Sequence, residues 1–509
     1  MIGKNHIRKR VFWPVFILLL LTIVLNLFDK SNFSVVVTGI NTWILTYFHS
    51  VFSLAVLLMC LTCGVLFFSK IGNVRIGGEK AKPILTRWQW FSITLCTTIA
   101  TGILFWGTAE PIYHLGSPPT SLNIDVNSKE AAKFSMSTLF FHWSFMPYAI
   151  YTVAIVAFAL AFYNLKRSYS IGSSVLFKRD LNNAPLFSSV VDSICLFALV
   201  AGMAASLGTG ILTISGGLAE LFRIPNNNVS HFLVAVFIIL AFVISASTGL
   251  LKGIKWLSVI NVYLFIFLAL IFLIRIFSRE WLELVWYSLG DFMVNFIDKS
   301  LFTLKHPEDQ WGLDWTIFNW ANWMAWAPVT AVFLGRISVG YKVREVLIFN
   351  WIIPSLFAIV WMSIFGGSAI LEQITGGSDL IIMLKESGPE SIIYKLLHDI
   401  PFHSLVSIIF VITMFISFVT AADSNTEAMS ALSTRGFGFL AEKSPVWLKI
   451  IWGGIIGATA FIMISFAGVK GVKIISTIGG FVSLILLIVI NAGLIWFAVT
   501  FKRRTRIME

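Results

Sequence analysis

Asp314-Trp315-Thr316-Ile317-Phe318-Asn319-Trp320-Ala321-Asn322-Trp323-Met324-Ala325-Trp326-Ala327-Pro328 puts four tryptophans into one apolar run of membrane length. At about 100° per residue, Trp320, Trp323 and Trp326 fan over roughly a third of a helix circumference. Aromatic belts at membrane interfaces also use tryptophan, but there the rings sit at the ends of a span. Here they run through it. A wall of indole faces inside a bilayer suits a cation that cannot donate hydrogen bonds, such as a quaternary ammonium group. The bland reading is a bulky lipid-facing or core helix. Against it stand Asn319 and Asn322 inside the run, since polar side chains at membrane depth face protein or a cavity.

The 509 residues are 57% hydrophobic and 12% charged, with a mean hydropathy of +0.86. Apolar runs recur from end to end, which reads as an all-α polytopic membrane protein. A β-barrel would show short alternating segments instead. Twelve spans are expected, at 11–28, 48–69, 88–110, 137–163, 186–221, 230–250, 254–277, 313–335, 344–372, 403–432, 446–468 and 474–501. Several exceed the roughly 20 residues needed to cross, so tilts or breaks are expected. Lys4, Arg8, Lys9 and Arg10 precede the first span, and no small-x-small cleavage site follows it. It therefore reads as a retained helix rather than a signal peptide.

A net charge of +12 does not imply a nucleic-acid partner. About two thirds of the 37 Lys and Arg lie at the termini and in segments joining even to odd spans. Arg336, Lys342 and Arg344 in the loop 335–345 belong to that set. This asymmetry predicts cytoplasmic termini by the positive-inside rule, with some affinity for anionic membrane lipid. The four cysteines, Cys60, Cys63, Cys96 and Cys195, all lie in apolar spans. Cys60-x-x-Cys63 lacks both the βαβ setting of a redox motif and a second pair for zinc, so it reads as packing.

Of the segments outside the spans, 278–312 and 373–402 are the longest. The first carries Trp281, Trp286, Tyr287, Phe292 and Phe296 among polar residues, the pattern of an amphipathic helix on the outer surface. Five spans precede it in 88–277 and five follow in 313–501. An odd number of spans inserts the two blocks in opposite orientations, which makes an inverted repeat by count alone.

Further stretches carry polar or aromatic chemistry. In His142-Trp143-Ser144-Phe145-Met146-Pro147-Tyr148-Ala149-Ile150-Tyr151, the three rings Trp143, Tyr148 and Tyr151 fall within about 140° of arc. Pro147 removes a backbone donor, which predicts a kink that exposes the carbonyl near residue 143. Taken alone the stretch is an ordinary aromatic core; beside the tryptophan run it makes a second aromatic wall. Thr97-Thr98-Ile99-Ala100-Thr101-Gly102 suits close helix packing or local unwinding that frees carbonyls. Glu110-Pro111 reads as a helix end near the outer boundary. Asp423, in Thr420-Ala421-Ala422-Asp423-Ser424, lies inside a span and requires a partner, structural or functional. His142 reads as a core histidine or a proton relay.

A channel would show polar pore-lining rings, and a membrane enzyme would show a nucleophile–base or metal constellation. Eight histidines give no HExxH-like spacing. No enzyme activity, cofactor or metal is expected.

The sequence resembles the betaine/carnitine/choline transporter (BCCT) family over nearly its whole length. The resemblance rests on Asp314-Trp315-Thr316, Phe318 to Trp326, Phe105-Trp106-Gly107-Thr108-Ala109-Glu110-Pro111, His142-Trp143, Arg336-Ile337-Ser338 with Arg344-Glu345, and Ala422-Asp423-Ser424, in order and spacing. It implies twelve transmembrane helices with a leucine-transporter-like core of two inverted five-helix repeats. The implied division is 1–87 for a cytoplasmic head and two peripheral helices, 88–277 for the first repeat, 278–312 for the extracellular linker helix, 313–501 for the second repeat, and 502–509 for a short cytoplasmic tail. It also implies a homotrimer in the bacterial inner membrane. The expected function is secondary transport of glycine betaine, choline or a carnitine-like zwitterion by alternating access. The alternatives are a dimethylsulfonio or sulfonate zwitterion, or a channel or sensor. The implied aromatic box is Trp143, Tyr148, Tyr151 and Trp323, with Trp326, Phe318, Asn322 and Trp320 as further substrate-binding residues.

The sequence departs from the family pattern at the coupling ion. Asn322 stands where sodium-coupled betaine carriers commonly have tryptophan, and Leu199, Met203 and Ala421 stand where hydroxyl residues bind sodium. Thr98, Thr101, Thr420 and Asp423 remain as candidate ion ligands. The expectation is transport that does not strictly require sodium and runs by proton coupling or solute exchange.

Overall fold

The computed structural model of the chain describes residues 7–99, 101–175, 185–248, 252–435 and 444–508. Among them there is no strand, only the isolated bridges Ile7–Thr434 and Arg75–Lys342. Helix prevails because a chain in hydrocarbon has to satisfy its amides within its own segment. Ten helices are long and apolar enough to cross a membrane. They become eleven when Arg87–Ile99 and Gly102–Gly116, which meet at 52°, count as one span. That bend falls on the small-residue run read from the sequence; Ala100 itself lies outside the described residues.

The remaining expected span is the tryptophan helix, Phe318–Ile337, entered through the π-helical turn Gly312–Ile317. Indoles and asparagines make it less apolar than an ordinary span. It is nevertheless the most enclosed, with every residue except Asn322 buried.

Several boundaries differ from expectation. The second span begins at Lys30, not at 48, and runs 39 residues to Phe68. Asp29 starts it by accepting a hydrogen bond from the Asn32 amide at 3.0 Å. At 1.5 Å per residue such a helix is about 58 Å long, near twice the hydrocarbon thickness of about 30 Å. It must tilt or project. The third span ends at Gly116, with Pro111 inside the helix, so Glu110-Pro111 marks no helix end. The segment 278–312 holds three helices rather than one: Arg279–Val294, Phe296–Ser300 and Phe302–Lys305. The first is amphipathic as expected. It buries Trp281 and Phe292 and exposes Trp286, Tyr287, Met293 and Val294.

Two breaks shape the centre. The fourth span divides at Ser144 into Lys129–Trp143 and Phe145–Ala159. Pro147 has no amide to bond the Trp143 carbonyl, and Ser144 turns out of helical geometry at φ −115, ψ −119. The last helical stretch runs over Val446–Met508, but the chain bends sharply inside it. Gly468 takes φ 53, and a methyl group on Gly471 would strike the Met463 carbonyl. Eight residues of straight helix would keep these about 12 Å apart. Spans eleven and twelve, Val446–Ser465 and Gly468–Thr500, form the two arms.

On the face that carries the basic loops, Arg344 bonds the Phe67 carbonyl at 2.9 Å and Asn73 Oδ1 at 3.0 Å. Arg87 pairs with Glu345 at 2.9 Å, and Tyr341 donates to the Leu85 carbonyl at 2.6 Å. Loop 335–345 therefore fastens the eighth and ninth spans to the segment joining spans two and three. Inside the membrane, close contact is made by small residues. Gly479 sits on Ala201 and Ala325, and Gly480 sits on the backbone of Ala321, which brings the twelfth span against the tryptophan helix with nothing between them.

That approach predicts an asymmetric response to an added methyl. Gly480→Ala forces the Ala321 backbone away and should lower stability by about 1–3 kcal/mol, the usual cost of overpacking. Gly454→Ala meets nothing within 4 Å and should leave stability unchanged or slightly raised. Thermal unfolding midpoints of the two purified variants check this.

Candidate functional site

The tryptophan helix, both halves of the fourth span, the bent third span and the fifth span line a narrow pocket of ≈ 30 Å³. Its centre is Trp323. Trp143, Tyr148 and Tyr151 all meet this indole edge-to-face, at ring-centroid distances of 5.8, 5.1 and 5.3 Å. Each such pair is worth about 0.5–1.5 kcal/mol beyond the area it buries, so the four rings hold one another. Trp143, Tyr151 and Trp323 line the pocket together with Thr98, Phe318, Asn322 and Trp326. Asn322 Oδ1 accepts from the Ser476 hydroxyl at 3.0 Å. Trp326 lies on Gly202, where a Cβ would come within 2.6 Å of the indole. Gly102 similarly makes room for Trp143.

Trp320 is turned away from this group. Its ring packs edge-on against Phe141 and His142, at 5.2 and 5.8 Å. The reason is angular: residues three apart on a helix differ by about 60°, which puts Trp320 at one edge of the fan and Trp326 at the other. Its place is behind the fourth span rather than in the pocket.

One box residue is fixed by a charge that sequence reasoning passed over. Glu110 is 1% exposed. One carboxylate oxygen accepts from His142 Nδ1 at 2.7 Å and His114 Nε2 at 3.2 Å; the other accepts from Trp143 Nε1 at 2.8 Å. Trp311 Nε1 donates to His114 Nδ1 at 3.2 Å, which leaves the His114 proton on Nε2. His142 Nε2 lies 3.1 Å from the Thr316 hydroxyl, so His142 bridges Glu110 to the turn that starts the tryptophan helix. The ligand atoms of Glu110, His114 and His142 lie within 4.8 Å of one another, a metal-holding spacing. The hydrogen bonds just described already account for every one of these ring nitrogens and carboxylate oxygens.

The candidate ion ligands are scattered. Thr98 and Thr420 donate to carbonyls of their own helices, Thr94 at 2.8 Å and Ile416 at 2.9 Å. Thr101 joins Ser206 and Thr209 of the fifth span, with its hydroxyl 2.7 Å from the Ser206 carbonyl and 3.1 Å from Thr209 Oγ1. Asp423 accepts from Ser245 of the sixth span at 2.7 Å. Leu199, Met203 and Ala421 are fully buried and offer no side-chain oxygen.

Glu110, His114, Ser206 and Thr209 carried little signal in the sequence pattern. A lone glutamate before proline resembles a span end. Its depth was readable only from the apolar residues that follow it, Ile112 and Leu115, which continue the helix.

A family model described as "BCCT, betaine/carnitine/choline family transporter" matches residues 10–501. An ectoine/hydroxyectoine transporter of Virgibacillus pantothenticus is 28% identical over 494 residues, covering 96% of each chain. The glycine betaine transporter OpuD of Bacillus subtilis (strain 168) is 30% identical and covers 92% of this chain and 90% of its own. The osmo-independent choline transporter BetT1 of Acinetobacter baylyi (strain ATCC 33305 / BD413 / ADP1) is 31% identical over 76% of this chain and 73% of its own. A solved structure of a Na+-coupled sialic acid symporter aligns at 15% identity and a TM-score of 0.40, covering 91% of this chain and 83% of that one.

The Glu110 cluster generates its own test. Glu110→Ala strands the donors of His114, His142 and Trp143, each at about 1–3 kcal/mol. The expected result is a lower unfolding midpoint together with weaker solute binding, since Trp143 loses its anchor. Glu110→Gln keeps one carbonyl acceptor and should fall between. An alanine variant that melts and binds like the parent would show that the carboxylate does not hold the box.

Proposed function

This chain belongs to the betaine/carnitine/choline transporter family, and from that premise we propose that its secondary transport serves a small quaternary-ammonium or related zwitterionic solute held at the Trp323 box. The observation that carries this reading is the set of three rings edge-on to one indole beside a pocket that Trp106, Phe318 and Trp326 also line. Trimethylammonium groups offer no N–H, so aromatic faces attract them by cation–π interaction, worth about 2 kcal/mol when desolvated. Relatives named for betaine, choline and ectoine transport all move small solutes with positive charge spread over a compact group.

The mechanism is alternating access, with binding at the midplane and rocking of one helix set against the other. Its frame is two inverted repeats, 88–277 and 313–501. In support, each block opens on an irregular helix: the 52° bend near Gly102 in the first and the π turn Gly312–Ile317 in the second. The charge asymmetry supports cytoplasmic termini in a bacterial inner membrane. The exposed face of Arg279–Val294, with Trp286 and Met293 at 75% exposure, supports its use as a contact in a homotrimer.

Transport on this reading does not require sodium. Leu199, Met203 and Ala421 remove side-chain oxygens, and Thr98, Thr420 and Asp423 are engaged with separate partners.

Trp323→Ala should weaken solute binding at least about tenfold, roughly 1.4 kcal/mol, while the protein still folds and inserts. A binding titration of the purified variant decides; unchanged affinity removes Trp323 from the site. Uptake into proteoliposomes should persist when potassium replaces sodium on both sides. Collapse of uptake, restored saturably by sodium, would return sodium to the mechanism.

A further inference from the structure

Beyond the box, one charged side chain on the twelfth span lies against the same aromatic walls. Lys473 Nζ sits 3.3 Å from the centre of the Trp315 ring, 5.1 Å from Phe318 and 5.8 Å from Trp106. Trp106 and Phe318 also line the solute pocket, as does the neighbouring Val472. The ammonium donates one hydrogen bond, to the Asp314 carbonyl at 3.0 Å. Among the described residues no carboxylate lies within 4 Å of it. The two acidic groups that act on it electrostatically, Glu110 and Asp314, are otherwise engaged. Glu110 holds His114, His142 and Trp143. The Asp314 carboxylate accepts from Gln310 Nε2 at 3.0 Å.

A positive charge thus rests on rings shared with a pocket built for positive charge. A lysine ammonium over indole and phenyl faces is the same interaction that a quaternary ammonium solute seeks. Lys473 stands at the outer end of that aromatic line in the proposed orientation. A solute bearing only positive charge meets repulsion there. A zwitterion brings an anionic group that the two remaining N–H donors of Lys473 satisfy, while its ammonium end proceeds to Trp323.

We propose that Lys473 is a specificity-determining residue that selects zwitterions, carboxylate or sulfonate, over solutes carrying only a cation. The proposal rests on the solute reading of the Trp323 box. It is tested by measuring half-saturation for glycine betaine and for choline in proteoliposomes containing the full chain, for the parent, Lys473→Met and Lys473→Arg. Methionine keeps the length and packs well on aromatic rings; arginine keeps the charge and the ring contact.

The expected result is a parent that favours betaine. Lys473→Met should shift the choline-to-betaine preference toward choline at least tenfold, and Lys473→Arg should retain the parent's preference. Equal changes for both solutes in Lys473→Met would mean that the lysine only latches the rings, which overturns the proposal while leaving the box intact. Unchanged constants in Lys473→Met overturn it as well. A parent that takes up neither solute defeats the box reading itself, and Lys473's role with it.

Discussion

A peptide chain in hydrocarbon has no water to satisfy its amides, so helical geometry is broken only where protein or a cavity supplies other partners. Three of the breaks in this chain converge on one place. Ile99 and Gly102, on either side of the third-span bend, line the pocket around Trp323. Ser144 divides the fourth span one residue after Trp143, and the π turn Gly312–Ile317 ends one residue before Phe318. Side chains take up what the backbone loses. Ser144 Oγ bonds the Phe140 carbonyl, and Thr101 Oγ1 bonds the Ser206 carbonyl. The irregular backbone and the aromatic box are two aspects of one solution: irregular backbone needs a protein-lined site, and the site needs rings aimed inward from several helices at once.

Large rings need room, and glycine provides it. Trp143 fits over Gly102, and Trp326 over Gly202. Where two helices carry no rings at their contact, Gly480 lets the twelfth span touch the Ala321 backbone directly. Bulk and smallness alternate around the pocket, which fixes indole orientation by shape. Glu110 adds direction. A buried carboxylate in low dielectric keeps every donor it can reach, so the tilt of Trp143 is tied to two histidines and, through Thr316, to the start of the tryptophan helix. The box and the Glu110 cluster of the third span are therefore one hydrogen-bonded unit.

The legibility of this arrangement in the sequence was uneven for physical reasons. Trp143, Tyr148, Tyr151 and Trp323 converge because two aromatic-rich helices pack face to face, and their periodicity displayed the faces. Trp320 did not, since periodicity gives an arc and not which neighbour occupies each part of it; Phe141 and His142 took that edge. The start of the second span at Lys30 was missed because polar residues such as Asn32, Ser34 and Thr38 masked a helix started by Asp29. Glu110 and Lys473 were invisible for a shared reason. Each is a single charge near a span end, and one-dimensional hydropathy treats such a charge as a boundary. Only packing reveals that one is capped by three donors and the other is cradled by three rings.

Partner choice by the hydroxyls adds a last constraint on how the carrier senses charge. An ion site needs several oxygens turned into one space. Here Thr98, Thr420, Ser424 and Thr426 each donate to a carbonyl on their own helix, at 2.8, 2.9, 2.8 and 2.6 Å. In a membrane this back-bonding satisfies the hydroxyl without a partner helix. Across the third span's contacts, the described hydroxyls that reach other helices are Thr94 toward Asn350, Thr97 toward Ser424 and Thr101 toward Ser206 and Thr209. They face one another and not a shared centre with Asp423, which is held by Ser245. Oxygen ligands are thus dispersed while π faces are concentrated. On the proposed reading, a soft methylated cation meets four converging rings. On that reading, charge recognition is built mainly from aromatic faces.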